Sequence, residues 1–186
     1  GLHATWALYT DYRYGWTPKE IGFSLALVGI GAAVVQAGLA ARIIRAIGER
    51  AALLIGAGVG VLAYVGYGSA TQGWMIYTVI VLASLAGIAQ PASQSLITRT
   101  VLPTEQGAVQ GALTSLGSLS GTVGPPIATS LFGFFISARA PFSLPGAAFF
   151  VSAAMMIAAL AREHAMPVIS RDKHFDLIPR LERVGW

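Results

Sequence analysis

From Ala51 to Thr98 the chain carries no Asp, Glu, Lys, Arg or His. The run is too long for one bilayer crossing and fits two joined by a tight turn, at roughly 20 residues per helix. Similar uncharged runs extend from Ile21 to Ala41, from Gln106 to Ala138 and from Ala140 to Ala161. They are continuously apolar and do not alternate as barrel strands do. The pattern predicts complete helical spans at about 21–45, 51–69, 74–98, 106–136 and 145–161, with a partial helix at 1–10. Residues 1–161 are thus expected to form an all-α, polytopic membrane helical bundle, and 162–186 a basic tail. A ten-residue helix reaches only about 15 Å, half a hydrocarbon core. The chain also opens on Gly rather than Met, so it reads as a fragment that begins partway through a helix. No basic segment precedes the first apolar stretch, which speaks against a signal peptide.

Local signals refine these elements. Thr17-Pro18-Lys19-Glu20 has the order of a helix start, with a capping Thr, Pro at the first helical position and an acid in the first turn. Thr71-Gln72-Gly73 marks the turn between the second and third complete spans. Gln90-Pro91 interrupts the third, and Gly124-Pro125-Pro126 breaks the unusually long fourth. Proline removes a backbone donor and bends a helix, which frees carbonyl groups. Such a break is either a packing kink or a cavity-lining hinge whose freed groups are satisfied by water and side chains. Two in successive spans favour the moving role for Pro91, Gly124 and Pro125. The spacings Gly56-x-x-x-Gly60 and Gly117-x-x-x-Gly121 suit close helix packing. A nucleotide-binding loop at Gly56-x-Gly58-x-Gly60 would need a preceding strand and a polar exit, and has neither.

Composition supports the membrane assignment and narrows the partners. Charged residues make up 11% and hydrophobic residues 55%, against about 25% charged in soluble domains. The net charge of +4 is distributed as a topology signal and not as a nucleic-acid footprint. One set of loops and ends holds Arg42, Arg45, Arg50, Arg99, Arg162, Arg171, Lys173, Arg180 and Arg183. The opposite set holds only Arg13, Lys19 and Arg139. The basic excess assigns its side, tail included, to the cytoplasm of a multi-pass protein in the inner (plasma) membrane. Trp6, Trp16 and Trp74 then fall near the outer interface, where indole rings prefer to lie. Cysteine is absent, which excludes disulfides and thiolate metal sites, and no cluster indicates a metal or an organic cofactor. In the tail, Phe175, Leu177, Ile178, Leu181 and Val184 lie among charges and suit a membrane surface. Pro179 interrupts that pattern, so the tail reads as mostly unstructured.

The loop after the first complete span reads Arg42-Ile43-Ile44-Arg45-Ala46-Ile47-Gly48-Glu49-Arg50. It resembles the degenerate second-half copy of the signature loop of major facilitator superfamily transporters. Further segments are similar, in order and spacing, to the tetracycline-efflux (Tet) branch of drug:proton antiporters. They are Trp6-Ala7-Leu8-Tyr9-Thr10 with Gly15-Trp16, then Gly48-Glu49-Arg50 running into Ala52-Leu53-Leu54, then Gln106-Gly107 with Gln110-Gly111, and finally Val123-Gly124-Pro125. The resemblance covers nearly the whole chain. It implies helices seven to twelve of a twelve-helix transporter: the C-terminal six-helix half, with helix seven truncated. It also implies a missing N-terminal half as partner, a small drug-like substrate, proton antiport and alternating access between halves. Arg42, Arg45 and Arg50 are suitable donors, and Glu49 an acceptor, for salt bridges that lock one face; a positive-inside signal is the alternative reading. Where the first-half signature carries an acid, this copy has Arg45, so that copy's acid-centred lock does not carry over.

Polar side chains inside the spans are the candidates for a substrate cavity. Gln36, Gln90 and Gln94 supply amides, the last two one turn apart on one face. Ser118 and Thr122 line part of the long helix. Amides and hydroxyls hydrogen-bond a polar drug without the cost of burying charge; alternatively they join helices or bond their own backbone. Proton coupling requires a titrating group within the membrane, and no complete span holds one away from its ends. The resemblance implies an Asp in helix nine of tetracycline exporters, at a position that is Gly60 here. His3 and Asp11 remain, Asp11 with the alternative of pairing to Arg13. An intramembrane serine hydrolase would need a base facing Ser118 or Ser120, and the three imidazoles lie in the partial helix and the tail. A small non-transporting membrane subunit, or a degraded transporter copy, is the other alternative.

Overall fold

In hydrocarbon no water competes for backbone groups, so each uncharged run closes its own helical hydrogen bonds. The computed structural model describes residues 2–102, 104–137, 140–141 and 143–165. Its helices are α1 (Leu2–Tyr14), α2 (Pro18–Val34), α3 (Ala40–Ile47), α4 (Glu49–Ser69), α5 (Gly73–Ser84), α6 (Ala89–Thr100), α7 (Gln106–Ile136) and α8 (Ala147–Ala165). A π-helical segment, Val35–Leu39, joins α2 to α3, and a 3-10 turn, Leu85–Ile88, joins α5 to α6. Four rods are long and apolar enough to cross a membrane: Pro18–Ile47, Glu49–Ser69, Gly73–Arg99 and Gln106–Ile136. Ala147–Arg162 is a shorter apolar helix. Large apolar side chains such as Phe23, Ile30, Leu62 and Met155 are exposed on the outside, as a lipid solvent permits. The protein is an all-α, polytopic membrane bundle. Arg139, the tail beyond residue 165 and the side chain of His3 lie outside the described residues.

Several boundaries differ from the expectation. The partial helix does not stop at residue 10 but runs to Tyr14. Its last turn is held because Arg13 Nε and the Tyr14 hydroxyl both donate to the Ala70 carbonyl just beyond α4, each at 2.8 Å. At the start of α2, Glu20 accepts from the Thr17 amide at 2.8 Å and from its hydroxyl at 2.9 Å, one arm of a capping box. The α8 helix continues through Arg162 to Ala165, into the segment expected as tail.

Around α4, which packs against α3, α5, α6 and α8, two separate cores form. One holds Trp6, Tyr9, Trp16, Tyr67, Ile76, Ile80, Phe132 and Phe149. Here the Trp6 indole donates to Ser24 at 2.9 Å and the Tyr9 hydroxyl to the Tyr67 carbonyl at 2.6 Å. The other, at the Gly48 end, holds Val35, Ala40, Ala52, Ile88 and Ala92. Small residues let α4 approach its neighbours. A Cβ on Gly56 would lie 2.8 Å from the Ala89 amide nitrogen, and one on Gly60 would lie 3.0 Å from Met156 Cε. By contrast, a Cβ on Gly117 or Gly121 would meet nothing within 4 Å, so that face of α7 is open among the described residues.

Candidate functional site

The site is built where two helices lose their regular ladder side by side. In the first rod the irregular segment contains Gly38 at φ 143°, ψ −12°. This region is closed to residues with a Cβ, and it shifts the phase between α2 and α3. In the third rod the 3-10 turn precedes Gln90-Pro91, so Pro91 is the third residue of α6. Within the continuous rod Gly73–Arg99 its missing amide leaves the Gly87 carbonyl without an i+4 donor. The two breaks touch: a Cβ on Gly87 would sit 3.6 Å from Val35 Cγ1. Between them opens a cleft of about 820 Å³, lined by Gln36, Ile44, Arg45, Gly87, Gln90, Pro91, Gln94 and Ser95 among others. A smaller cavity of about 170 Å³ adjoins it at Gln36 and Gly87 and reaches Tyr67 and Ser84.

The cleft therefore brings together the three amides singled out in the sequence. They are not equivalent. Gln94 Nε2 donates to Gln110 Oε1 at 2.9 Å and so ties α6 to α7. Gln36 and Gln90 are exposed to the cleft and make no side-chain hydrogen bond to a described residue. Ser118 and Thr122 lie outside it, on exposed turns of α7, where the Thr122 hydroxyl donates to the Ser118 carbonyl at 3.0 Å. The expected break at Gly124-Pro125-Pro126 is absent: α7 is one helix from Gln106 to Ile136 with both prolines inside. The Thr122 and Thr129 hydroxyls donate to the Ser118 and Pro125 carbonyls, at 3.0 and 2.8 Å.

In the signature loop, Gly48 at φ 84° ends α3 and begins α4. Arg45 Nε donates to the Ala41 carbonyl at 3.2 Å while its side chain lines the cleft. Arg42 and Arg50 are exposed. Glu49 pairs with none of these arginines. It accepts from Arg99 at 2.9 Å and from the Ser95 hydroxyl at 2.5 Å, joining α4 to α6. The Glu49 side chain is 12% exposed and Arg99 73%, so the pair is half in solvent and contributes about 0.5–1 kcal/mol. In a double-mutant cycle of Glu49→Ala and Arg99→Ala, read by thermal melting in detergent, a coupling of that size is expected. Strict additivity would remove the pair from the account of stability.

At the opposite end Asp11 is exposed, and Arg13 is engaged with the Ala70 carbonyl at 2.8 Å rather than with Asp11. Gly60, the position where the resemblance implies an acid, is a packing site. A Cβ there meets Met156 Cε at 3.0 Å and Ala86 Cβ at 3.6 Å. Among the described residues no group of acids and histidines is placed to hold a metal. Sequence reasoning missed Gly38, Gln110 and the Ser95–Glu49–Arg99 cluster as parts of the site. The i, i+4 spacing of Ser95 and Arg99 on α6 was the available signal for the cluster.

An exposed apolar bundle, opened at one end into an amide-lined cleft, defines a multi-pass membrane protein with room for a small ligand. The chain belongs to the Major Facilitator Superfamily, whose profile matches residues 3–184; this is a family of transporters, not of hydrolases. It is similar to the tetracycline resistance protein, class G, of Vibrio anguillarum, with 36% identity over 129 residues, 69% of this chain and 33% of that protein. It is likewise similar to the class C protein of Escherichia coli, with 34% identity over 157 residues, 84% of this chain and 38% of that protein. The Hippocampus abundant transcript 1 protein of Homo sapiens is 28% identical over 134 residues, 72% of this chain and 26% of that protein. The chain spans about a third of the length of the tetracycline resistance proteins it matches. No solved structure matches it.

Proposed function

We propose that the chain is the C-terminal half of a secondary transporter that exports a drug-like, tetracycline-type substrate by alternating access. The observation that carries this reading is the cleft at the meeting of two broken helices, with the free amides of Gln36 and Gln90 inside it. Broken helices supply both a ligand-facing backbone and positions where the rods bend. Amides offer donors and acceptors without a buried charge. The similarity to tetracycline resistance proteins supports the substrate class. In this reading the cleft faces an N-terminal half, and the Gly48 end and the tail face the cytoplasm. Antiport with protons completes the cycle. Because Gly60 is a packing site and Glu49 is held by Arg99 and Ser95, the membrane-embedded titrating group is assigned to the N-terminal half.

The test is tetracycline accumulation in susceptible cells that carry the complete gene, with an antibody to the Arg171–Trp186 segment confirming the product in the membrane. Accumulation should fall several-fold, and an uncoupler should restore it. Unchanged accumulation with the product in place would overturn the transport reading. Export that survives the uncoupler would overturn only the proton coupling.

A further inference from the structure

We propose that the smaller cavity is a water site: a hydrated side chamber whose waters are held by Tyr67, Ser84 and Gln36 and satisfy the Gly87 carbonyl at the break in the third rod. The chamber measures about 170 Å³ and is lined by residues of α2, α4, α5 and the 3-10 turn, so its walls do not depend on a facing half. At roughly 30 Å³ per molecule it has room for about five waters. A cavity of this size stays dry when its lining is apolar. This lining is not. Tyr67 is only 6% exposed; its carbonyl accepts the Tyr9 hydroxyl at 2.6 Å, but its own hydroxyl bonds no described residue. Among the described residues no enclosed side-chain polar atom lacks a partner. The Tyr67 oxygen must therefore open onto free space, and the chamber is the cavity that Tyr67 lines. Helix geometry agrees: aromatic side chains lean toward the N-terminus of their helix. From Tyr67 that direction runs along α4 toward the Gly48 end, where Gln36 and Gly87 lie.

The polar groups match what water needs. The Tyr67 hydroxyl brings one donor and free lone pairs, and the Gln36 amide brings two donors and an acceptor oxygen. The Ser84 hydroxyl spends its hydrogen on the Ile80 carbonyl at 3.0 Å and so offers acceptor capacity alone. Gly87 adds a carbonyl that has lost the Pro91 amide. A buried water takes two to four polar partners, and these come from three helices and one irregular turn. Backbone freed inside a membrane helix is tolerated where water or side chains satisfy it. Gln36 and Gly87 line both the chamber and the cleft, so water enters and leaves through the cleft. The mechanical consequence follows from where the chamber sits. At the contact of the two irregular segments, exchangeable water completes the polar contacts, and a bend there trades one water partner for another.

Radiolytic hydroxyl-radical footprinting of the complete protein in lipid nanodiscs tests this, because it oxidises rings that have water beside them. Tyr9 is the internal reference: it shares a core and a ring chemistry with Tyr67, but it is fully buried and its hydroxyl is bonded. In the wild-type protein Tyr67 should be oxidised at least tenfold faster than Tyr9 despite its burial. Ala32→Leu and Ala83→Leu put side chains into the chamber from α2 and α5, and each should lower the Tyr67 rate about tenfold. Gly22→Ala, where a Cβ meets nothing within 4 Å, should leave both rates unchanged. Equal rates for Tyr9 and Tyr67 in the wild-type protein overturn the water site, as does a Tyr67 rate that neither filling variant lowers. A filling variant that misfolds shows itself by a rise in the Tyr9 rate, and the wild-type ratio then decides. Tetracycline export measured on the same preparations separates this from the transport reading: a wet chamber in a protein without export leaves the water site standing, and export with a dry chamber removes it alone.

Discussion

Replacing Gly146 with alanine is expected to pull α8 away from α4 and to lower the melting temperature in detergent by on the order of 10 °C. A Cβ at this position would sit 2.5 Å from the Gly68 carbonyl oxygen and 2.6 Å from its Cα. Both are backbone atoms in a helix, so neither can rotate aside. The Gly146 carbonyl also accepts the Phe149 and Phe150 amides at 3.0 and 3.2 Å, which ties its position to the first turn of α8. Relief of the clash must therefore move Phe149, whose ring lies 4.8 Å from Tyr9 and 6.4 Å from Trp6 between centroids. Overpacking costs about 1–3 kcal/mol, and each lost aromatic pair about 0.5–1.5 kcal/mol. At about 2–4 °C per kcal/mol for a chain of this size, the fall is large enough to read in a simple thermal scan. Gly22→Ala is the matched control, because nothing lies within 4 Å of a Cβ there, and helix propensity makes it neutral or slightly stabilising. A Gly146 variant that melts with the control would refute the close approach of α4 and α8.

That approach was not legible in the sequence, whereas the rods themselves were. A run without charge has one stable outcome in hydrocarbon, and Thr17-Pro18 and Gly48 punctuate it by backbone chemistry that is local. What the residues do not state is phase. Gly38 stands in an apolar stretch like any other glycine, and only its φ of 143° shows that the first rod is broken there. Pro125 and Pro126 carry the stronger sequence signal and yet lie inside a continuous α7. Gly56 and Gly117 look alike on paper. The first meets the Ala89 backbone and the second meets open space, a difference set by which helices lie alongside. For the candidate site, residue type singled out Gln36 and Gln90, and both line the cleft. Their convergence with Arg45 depends on two irregular turns being level with one another. The partner of Glu49 was misjudged for the same reason: the arginines close in sequence point elsewhere, and Arg99 arrives from α6.

The two glutamines of α6 should separate cleanly when each is replaced by leucine. Gln90 has no described partner and faces the cleft, so in the transport reading its amide is free for ligand. Gln90→Leu should cut tetracycline export about tenfold with the melting temperature unchanged. One to two lost hydrogen bonds at about 0.5–1.5 kcal/mol each correspond to that factor. Gln94 instead holds Gln110 at 2.9 Å, one of two side-chain links between α6 and α7 beside the bond from Gln106 Nε2 to the Thr98 carbonyl at 3.4 Å. Gln94→Leu should lower the melting temperature by a few degrees, and Gln110→Leu should do the same. The double variant should cost little more than either single one, because both remove one bond. Export in these variants should fall only as far as the folded fraction does. If Gln90→Leu destabilises the protein and Gln94→Leu abolishes export without destabilising it, the roles are reversed, and the ligand sits on the α7 side of the cleft. The distinction matters for mechanism. A ligand on Gln90 and Gln36 straddles the two breaks and is sensitive to any bend at Gly38 or Leu85–Ile88, whereas a ligand on Gln94 would sit on the hydrogen-bonded link from α6 to Gln110 of α7.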